Sequence, residues 1–194
     1  MAHHLVIFGR QGAGKGTQSQ RIVDAFGVVH VSTGDMLRAA IAAESELGQA
    51  VKQILDSGGL VDDDTMVALV TGRLSQQDIL DGGVLLDGFP RTPPQAEELL
   101  RILGDRQIDA AINLDVPIDE VTNRMLERGR ADDTPEAIAH RLELYESQTS
   151  PLLAWCEEQN LLTTVDGLGD EDEVFGRVRA ALAERGVGTA DNGE

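Results

Sequence analysis

Four apolar residues, Leu5-Val6-Ile7-Phe8, run directly into Gly9-Arg10-Gln11-Gly12-Ala13-Gly14-Lys15-Gly16-Thr17, and a helical pattern follows over 17–25 with Ile22, Val23 and Phe26 apolar. Strand, glycine-rich turn and helix in that order is the setting of a phosphate-binding loop. The glycines let the backbone curl so that successive N–H groups converge on an anion. The helix N-terminus adds partial positive charge, and Lys15 supplies a full one. Gly16 follows the lysine directly, so the hydroxyl that would face a Mg²⁺ ion is displaced to Thr17. The competing reading is a chance lysine in a glycine-rich turn, since the chain holds 21 glycines. Four glycines and Lys15 in register behind a strand favour a nucleotide phosphate site.

Such a site must work against the rest of the chain, which carries a net charge of −18. A field of that sign repels polynucleotides and anionic membranes, so neither is an expected partner. Binding a polyanion therefore requires the cations to gather in one place. Of the 16 basic residues only Lys15 and Lys52 are lysines; the others are arginines, the better bidentate clamp for phosphate. A length of 194 with 41% apolar residues suits one compact domain. Cys156 is the single cysteine, which excludes an internal disulfide, fits a reducing compartment and argues against a structural zinc site. With no leader-like segment ahead of the first apolar run and no membrane-length apolar stretch, the expectation is a cytoplasmic protein.

Apolar, β-rich runs at 5–8, 28–31, 84–86, 110–116 and 161–165 alternate with helical patterns. Continuous apolar runs separated by helices predict an α/β fold: a five-stranded parallel sheet covered by helices on both faces. Ligands of such sheets sit at the C-terminal strand ends. Gly9, Ser32-Thr33, Asp87-Gly88, Asp115-Val116-Pro117 and Asp166-Gly167 all fall there. Two segments depart from the alternation. Residues 35–44 and 47–57 read as two helices with no strand between them, closed by Gly58-Gly59, which looks like an inserted flap. The polar connection Gly129-Arg130-Ala131-Asp132-Asp133-Thr134-Pro135 joins a helix ending near Arg128 to a long one reaching about Gln159, with Thr134 or Asp133 as its cap. Residues 186–194 are small and polar and read as frayed.

Further chemistry lies at the strand ends. In Ser32-Thr33-Gly34-Asp35-Met36-Leu37-Arg38, Thr33 can offer a hydroxyl to a base or cap the helix, and Arg38 lies within reach of a phosphate. In Asp87-Gly88-Phe89-Pro90-Arg91, the acid suits water-mediated Mg²⁺ binding and Arg91 suits a second phosphate. Gln95, one helical turn beyond, has an amide able to read an adenine edge. Arg124 and Arg128, four apart, share a helix face; Arg130 and Arg141 flank the connection. The histidines, His3, His4, His30 and His140, lie outside these motifs and read as structural.

In order and spacing, the loop 9–17, the stretch 32–38, Gly59-Leu60-Val61, Asp87 to Arg91 with Gln95, and Arg128-Gly129-Arg130-Ala131-Asp132-Asp133 resemble the adenylate kinases over nearly the whole chain. The resemblance implies a P-loop NTPase-like core (1–31, 62–127 and 139–194), a helical monophosphate-binding flap at 32–61 and a short lid at 128–138. It implies reversible phosphoryl transfer from MgATP to AMP, giving two ADP, by a monomer. ATP would be held by Gln11, Gly12, Ala13, Gly14, Lys15, Gly16, Thr17, Arg124, Arg128 and Gly169. AMP would be held by Thr33, Arg38, Gly59, Leu60, Val61, Gly88, Phe89, Pro90, Arg91, Gln95, Arg130 and Arg141. Lys15, Arg91, Arg130 and Arg141 would act on the transferring group, and Asp87 would hold Mg²⁺ through water. The lid is too short for the zinc-type ligand set of longer-lidded relatives, so no zinc is expected. Two positions depart from the family pattern: Arg10-Gln11 replaces prolines in the loop, and Asp62-Asp63-Asp64 follows Leu60-Val61 where a proline is usual. Arg10 could touch phosphate or face solvent; losing the proline could loosen the hinge, and the extra carboxylates could weaken AMP binding. The alternatives are a UMP or CMP kinase, against which Thr33 and Gln95 speak, and a catalytically idle nucleotide sensor.

Overall fold

The computed structural model describes residues 2–130 and 133–189. Ala131 and Asp132 of the polar connection, and residues 190–194 of the C-terminal tail, lie outside the described residues. The five expected strands are present as β1 (His3–Phe8), β2 (Val29–Ser32), β3 (Gly83–Asp87), β4 (Ala110–Asp115) and β5 (Leu162–Asp166). They form one sheet in the order β2-β3-β1-β4-β5, with every pairing parallel. In register, Leu5 faces Leu85 on one side and Ala110 on the other.

Strand alternation explains why both faces are apolar. Leu5 and Ile7 point into a core with Leu85, Ile112 and Leu114. That core is closed by α1 (Lys15–Phe26), α7 (Ile118–Arg128) and α10 (Glu171–Glu184) through Ile22, Val121 and Val178. Val6 and Phe8 point the other way, with Leu86, into a second core. There α4 (Asp63–Leu74), α5 (Gln77–Gly82), α6 (Pro93–Leu103) and α9 (Ser150–Glu158) contribute Val70, Ile79, Leu99 and Leu152. A strand buried on both faces needs apolar residues at every position, which is why these runs read as continuous rather than alternating.

The flap sequence forms α2 (Thr33–Ala42) and α3 (Glu46–Asp56) without an intervening strand. After the polar connection, α8 (Pro135–Leu144) continues through a π-helical turn, Tyr145–Thr149, into α9. Pro151 lies in the first turn of α9; it has no N–H to extend an α-helical ladder and its ring crowds the carbonyl four residues back. The widened turn just ahead of it relieves that crowding. Thr134, not Asp133, caps α8, accepting from the Ala137 N–H at 3.2 Å. At the C-terminus the expectation of fraying fails for Val187, which is buried in the first core and donates its N–H to the Leu182 carbonyl at 3.0 Å. Its apolar side chain closes the sheet face beyond α10.

Candidate active site

The glycine loop runs from β1 into α1. Gly12 has φ +88°, and a Cβ built there would stand 2.6 Å from the Val121 carbonyl oxygen, so the loop lies against α7 at a distance only glycine permits. Gly14 precedes α1 in the left-handed region at φ 92°, and α1 starts without a side-chain cap. By contrast α2, α4 and α8 begin on the side chains of Ser32, Asp62 and Thr134. The first N–H groups of α1 are thus left to a ligand. Lys15 folds back over the loop, donating from Nζ to the carbonyls of Gly9 (2.8 Å) and Arg10 (3.3 Å). Burial above all, then the positive charges of Arg91, Arg128 and Arg130, push this ammonium below its ordinary pKa, against the pull of Asp87.

Asp87, at the end of β3, is nearly buried. Burial by itself raises its carboxyl; His30, Lys15 and Arg91 more than offset that, so the group stands below the ordinary carboxylate value and is ionised. His30 Nε2 is buried 3.6 Å from Asp87 Oδ2, too long for a direct hydrogen bond, and has no other hydrogen-bond partner. From the sequence this histidine reads only as structural. The available signal is strand alternation: His30 and Ser32 share one face of β2, and Ser32 lies in register with Asp87. Arg91 is tethered by Nε to the Gly88 carbonyl at 2.9 Å. Burial and the nearby Arg141 and Arg38 lower its pKa while Asp87 raises it, with a net downward shift.

The remaining arginines arrive from α2, α7, the polar connection and α8. Arg38 pairs with Asp35 on its own helix, and Arg124 with Glu120 at 2.6 Å. Asp133 lies between the others. Its carboxylate is 0% exposed and accepts from Arg128 Nε (3.0 Å) and Nη2 (2.8 Å), Arg141 Nη1 (3.1 Å) and the Arg130 N–H (3.2 Å). Burial raises this carboxyl, but Arg128, the Arg130 N–H and Arg141 hold it below the ordinary value. Arg141 Nη2 also donates to the Leu55 carbonyl of α3 at 3.3 Å, linking α8 to the flap. Gly58 makes the same approach: its φ is +79°, and a Cβ there would stand 2.7 Å from the Ala137 carbonyl oxygen.

These groups line one cavity of about 540 Å³. Every residue given a nucleotide, catalytic or metal role from the sequence reaches its wall except Ala13, Thr33, Phe89 and Gly169. Ala13 and Phe89 are packed in the apolar interior. Thr33 is wholly buried and donates its hydroxyl to the Asp87 carbonyl at 3.3 Å, while Ser32 takes the capping role by accepting from the Asp35 N–H. Gly169 stands at the start of α10, where a Cβ would meet the Glu173 carboxylate at 2.4 Å. Leu144, Tyr145 and Thr149 join the wall unannounced by any motif. Arg10 is not left to solvent. It turns away from the cavity, over the Tyr145 ring at 5.4 Å from its centroid, and donates to Glu146 Oε1 from Nη2 (2.6 Å) and Nε (2.9 Å). Asp62 caps α4 through the Thr65 N–H at 2.9 Å, which gives the hinge a hydrogen bond where the usual proline is missing.

The family model described as Adenylate kinase matches residues 7–161. A curated "Adenylate kinase" of Leifsonia xyli subsp. xyli is 49% identical over 189 residues, 94% of each chain. One from Clavibacter michiganensis subsp. michiganensis is 50% identical over 190 residues, again 94% of each. One from Caulobacter sp. (strain K31) is 47% identical over 186 residues, 93% of this chain and 98% of the relative.

Proposed function

From the premise that this chain belongs to the adenylate kinase family and therefore transfers a phosphoryl group between ATP and AMP, we propose a division of labour among the residues of its cavity. The loop 9–17 and the first turn of α1 hold the ATP phosphates, with Lys15 as the mobile charge, and Arg124 and Arg128 close over the same nucleotide, with Gly169 at its adenine. Arg38, Gly59, Leu60, Val61, Gly88, Pro90, Arg91 and Gln95 receive AMP, while Thr33 and Phe89 support that wall from behind. Arg91, Arg130 and Arg141, with Lys15, stabilise charge on the transferring group. Residues 32–61 act as the flap and 128–138 as the lid.

The observation that carries this reading is the convergence of Lys15, Arg91, Arg128, Arg130 and Arg141 on one cavity at the rim of the sheet. No strong general base is needed, because an AMP phosphate oxygen is already a nucleophile; alignment and charge stabilisation are sufficient. Lid closure excludes water that would otherwise take the phosphoryl group. Asp87, an ionised oxygen donor on the cavity wall, fits Mg²⁺ held through water, and the ion supplies neutralisation of phosphate charge when it arrives with ATP. The acceptor preference for AMP over UMP or CMP accords with the names of the relatives. The net charge of −18 supports a protein that works apart from anionic membranes and nucleic acids, and with its short lid we read it as a cytoplasmic monomer. Among the described residues no helix is long and apolar enough to cross a membrane.

ADP formation from MgATP with AMP, UMP or CMP at equal concentration tests the reading. AMP should be strongly preferred, and Lys15→Met and Arg91→Ala should each lower kcat by about 10²–10³-fold with the circular dichroism spectrum unchanged. Near-normal turnover in either variant refutes the roles given to these residues.

A further inference from the structure

Gln95 is 4% exposed, and both ends of its amide that face the protein are engaged. Its Oε1 accepts from the Arg91 N–H at 2.8 Å, and its Nε2 donates to Asp63 Oδ1 at 2.6 Å. A backbone N–H can only donate and a carboxylate can only accept, so the two neighbours determine which end of the amide is oxygen and which is nitrogen. Turning the amide over would set Oε1 against the Asp63 carboxylate and Nε2 against the Arg91 N–H, losing both hydrogen bonds. What remains for the cavity is one N–H of Nε2 and one lone pair of Oε1, in a single fixed order.

We propose that Asp63 is a specificity-determining residue for the acceptor nucleotide, acting by holding the Gln95 amide in one orientation. Adenine presents an amino donor beside a ring-nitrogen acceptor; the 6-oxopurines, hypoxanthine and guanine, present a carbonyl acceptor beside a ring N–H donor. An amide locked in one order complements one of these edges and opposes the other, and the family's acceptor is AMP. An amide free to turn would serve both. Asp63 lies on the exit of the flap, in the Asp62-Asp63-Asp64 run that reads from sequence as a hindrance to an anionic substrate. Its carboxylate is instead directed at Gln95 on α6. Asp63 acts through Gln95 and need not touch substrate. The inference rests on the reading of Gln95 as the contact to the acceptor's base.

The test measures kcat/KM for AMP and for IMP in the wild type and in Asp63→Ala, Asp63→Asn, Asp63→Lys and Gln95→Leu. Asp63 is exposed and α4 is capped by Asp62, so the fold should survive each change at that position. Removing the acceptor in Asp63→Ala should lower the AMP-to-IMP ratio by about tenfold, the worth of one charge-assisted hydrogen bond. Asp63→Lys, which faces Nε2 with a cation, should lower it further. Asp63→Asn keeps an oxygen that can accept from Nε2 and should stay within about threefold of wild type. A purely structural role would weaken AMP and IMP together and leave the ratio where it was. An unchanged ratio in Asp63→Ala and Asp63→Lys, with a ratio that collapses in Gln95→Leu, overturns the lock while keeping Gln95 as the base contact. An unchanged ratio in Gln95→Leu overturns the base contact and the lock with it.

Discussion

Asp133→Asn removes the centre of the arginine cluster without changing its volume. The carboxylate has no solvent exposure and four donors around it: two from Arg128, one from Arg141 and the Arg130 N–H. Breaking a buried ion pair by neutralising one partner costs about 3–5 kcal/mol when the other charge stays dry. Here Arg128 is 29% and Arg141 11% exposed, so both recover some hydration, and a loss of about 2–4 kcal/mol is expected. For a chain of this size that corresponds to a melting temperature roughly 5–12 °C lower. The effect reaches the whole fold because the helices on either side, α7 and α8, are packed into the core through Val121, Met125 and Ile138. The pH dependence supplies an independent check. The folded pKa of Asp133 is depressed, so its contribution is fully present above the unfolded carboxylate value and is lost as pH falls through the folded one. The gap between wild type and variant should therefore be constant from pH 7 to about pH 5 and close below about pH 4. Thermal melts followed by circular dichroism across that range are the assay. A loss under about 1 kcal/mol at pH 7, or a gap that persists undiminished to pH 3, refutes the assignment of a buried anionic hub.

Two further outcomes are expected. Arg10→Ala should lower stability by about 1 kcal/mol, since its contacts are a stacked Tyr145 ring and partly exposed carboxylates, and should leave KM for ATP unchanged; a raised KM with unchanged melting would put the guanidinium at phosphate instead. Gly12→Ala places a Cβ 2.6 Å from the Val121 carbonyl oxygen at φ +88°, which should cost about 1–3 kcal/mol in melting experiments and weaken ATP binding measured by calorimetry; a variant with wild-type stability and affinity would show that the loop is not held against α7.

What was legible in the sequence is what is local. The loop 9–17 carries its own geometry, because glycines, lysine and the helix start are contiguous, and five apolar runs were enough to mark five strands. The strand order was not legible, and with it went every contact that depends on which strands are neighbours. His30 stands beside Asp87 only because β2 pairs with β3, and Gln95 meets Asp63 only because α4 and α6 pack on the same face of the sheet. The hydroxyls of Ser32 and Thr33 are interchangeable as caps on paper; the turn of the chain gives the cap to Ser32 and sends Thr33 to the Asp87 carbonyl. Arg10 was read by its place in a phosphate loop, yet a side chain at that position can reach the Tyr145 ring, which belongs to a π-helical turn that no sequence period announces.

The same long-range contacts explain how a chain of net charge −18 builds a polyanion site. Among the described residues, Lys15 and six arginines line the cavity against two carboxylates, Asp35 and Asp87. Two of these arginines pair within their own helices, Arg38 with Asp35 and Arg124 with Glu120. Lys15 is oriented by two carbonyls and Arg91 by the Gly88 carbonyl, while Arg128 and Arg141 both donate to Asp133. Carbonyl oxygens orient a cation without removing its charge. The acids that dominate the total sit on the outer helices, where Arg21, Arg73 and Arg177 have carboxylate partners of their own. Salt screens those exposed charges beyond a Debye length of about 8 Å at physiological ionic strength, whereas the buried cluster is screened far less. The cavity is therefore a local positive field inside an acidic shell. Part of its strength comes from the carbonyl dipoles at Lys15 and Arg91, so a substitution that gives either of these two cations a private carboxylate should damage phosphate binding more than one that merely adds an acid to the surface.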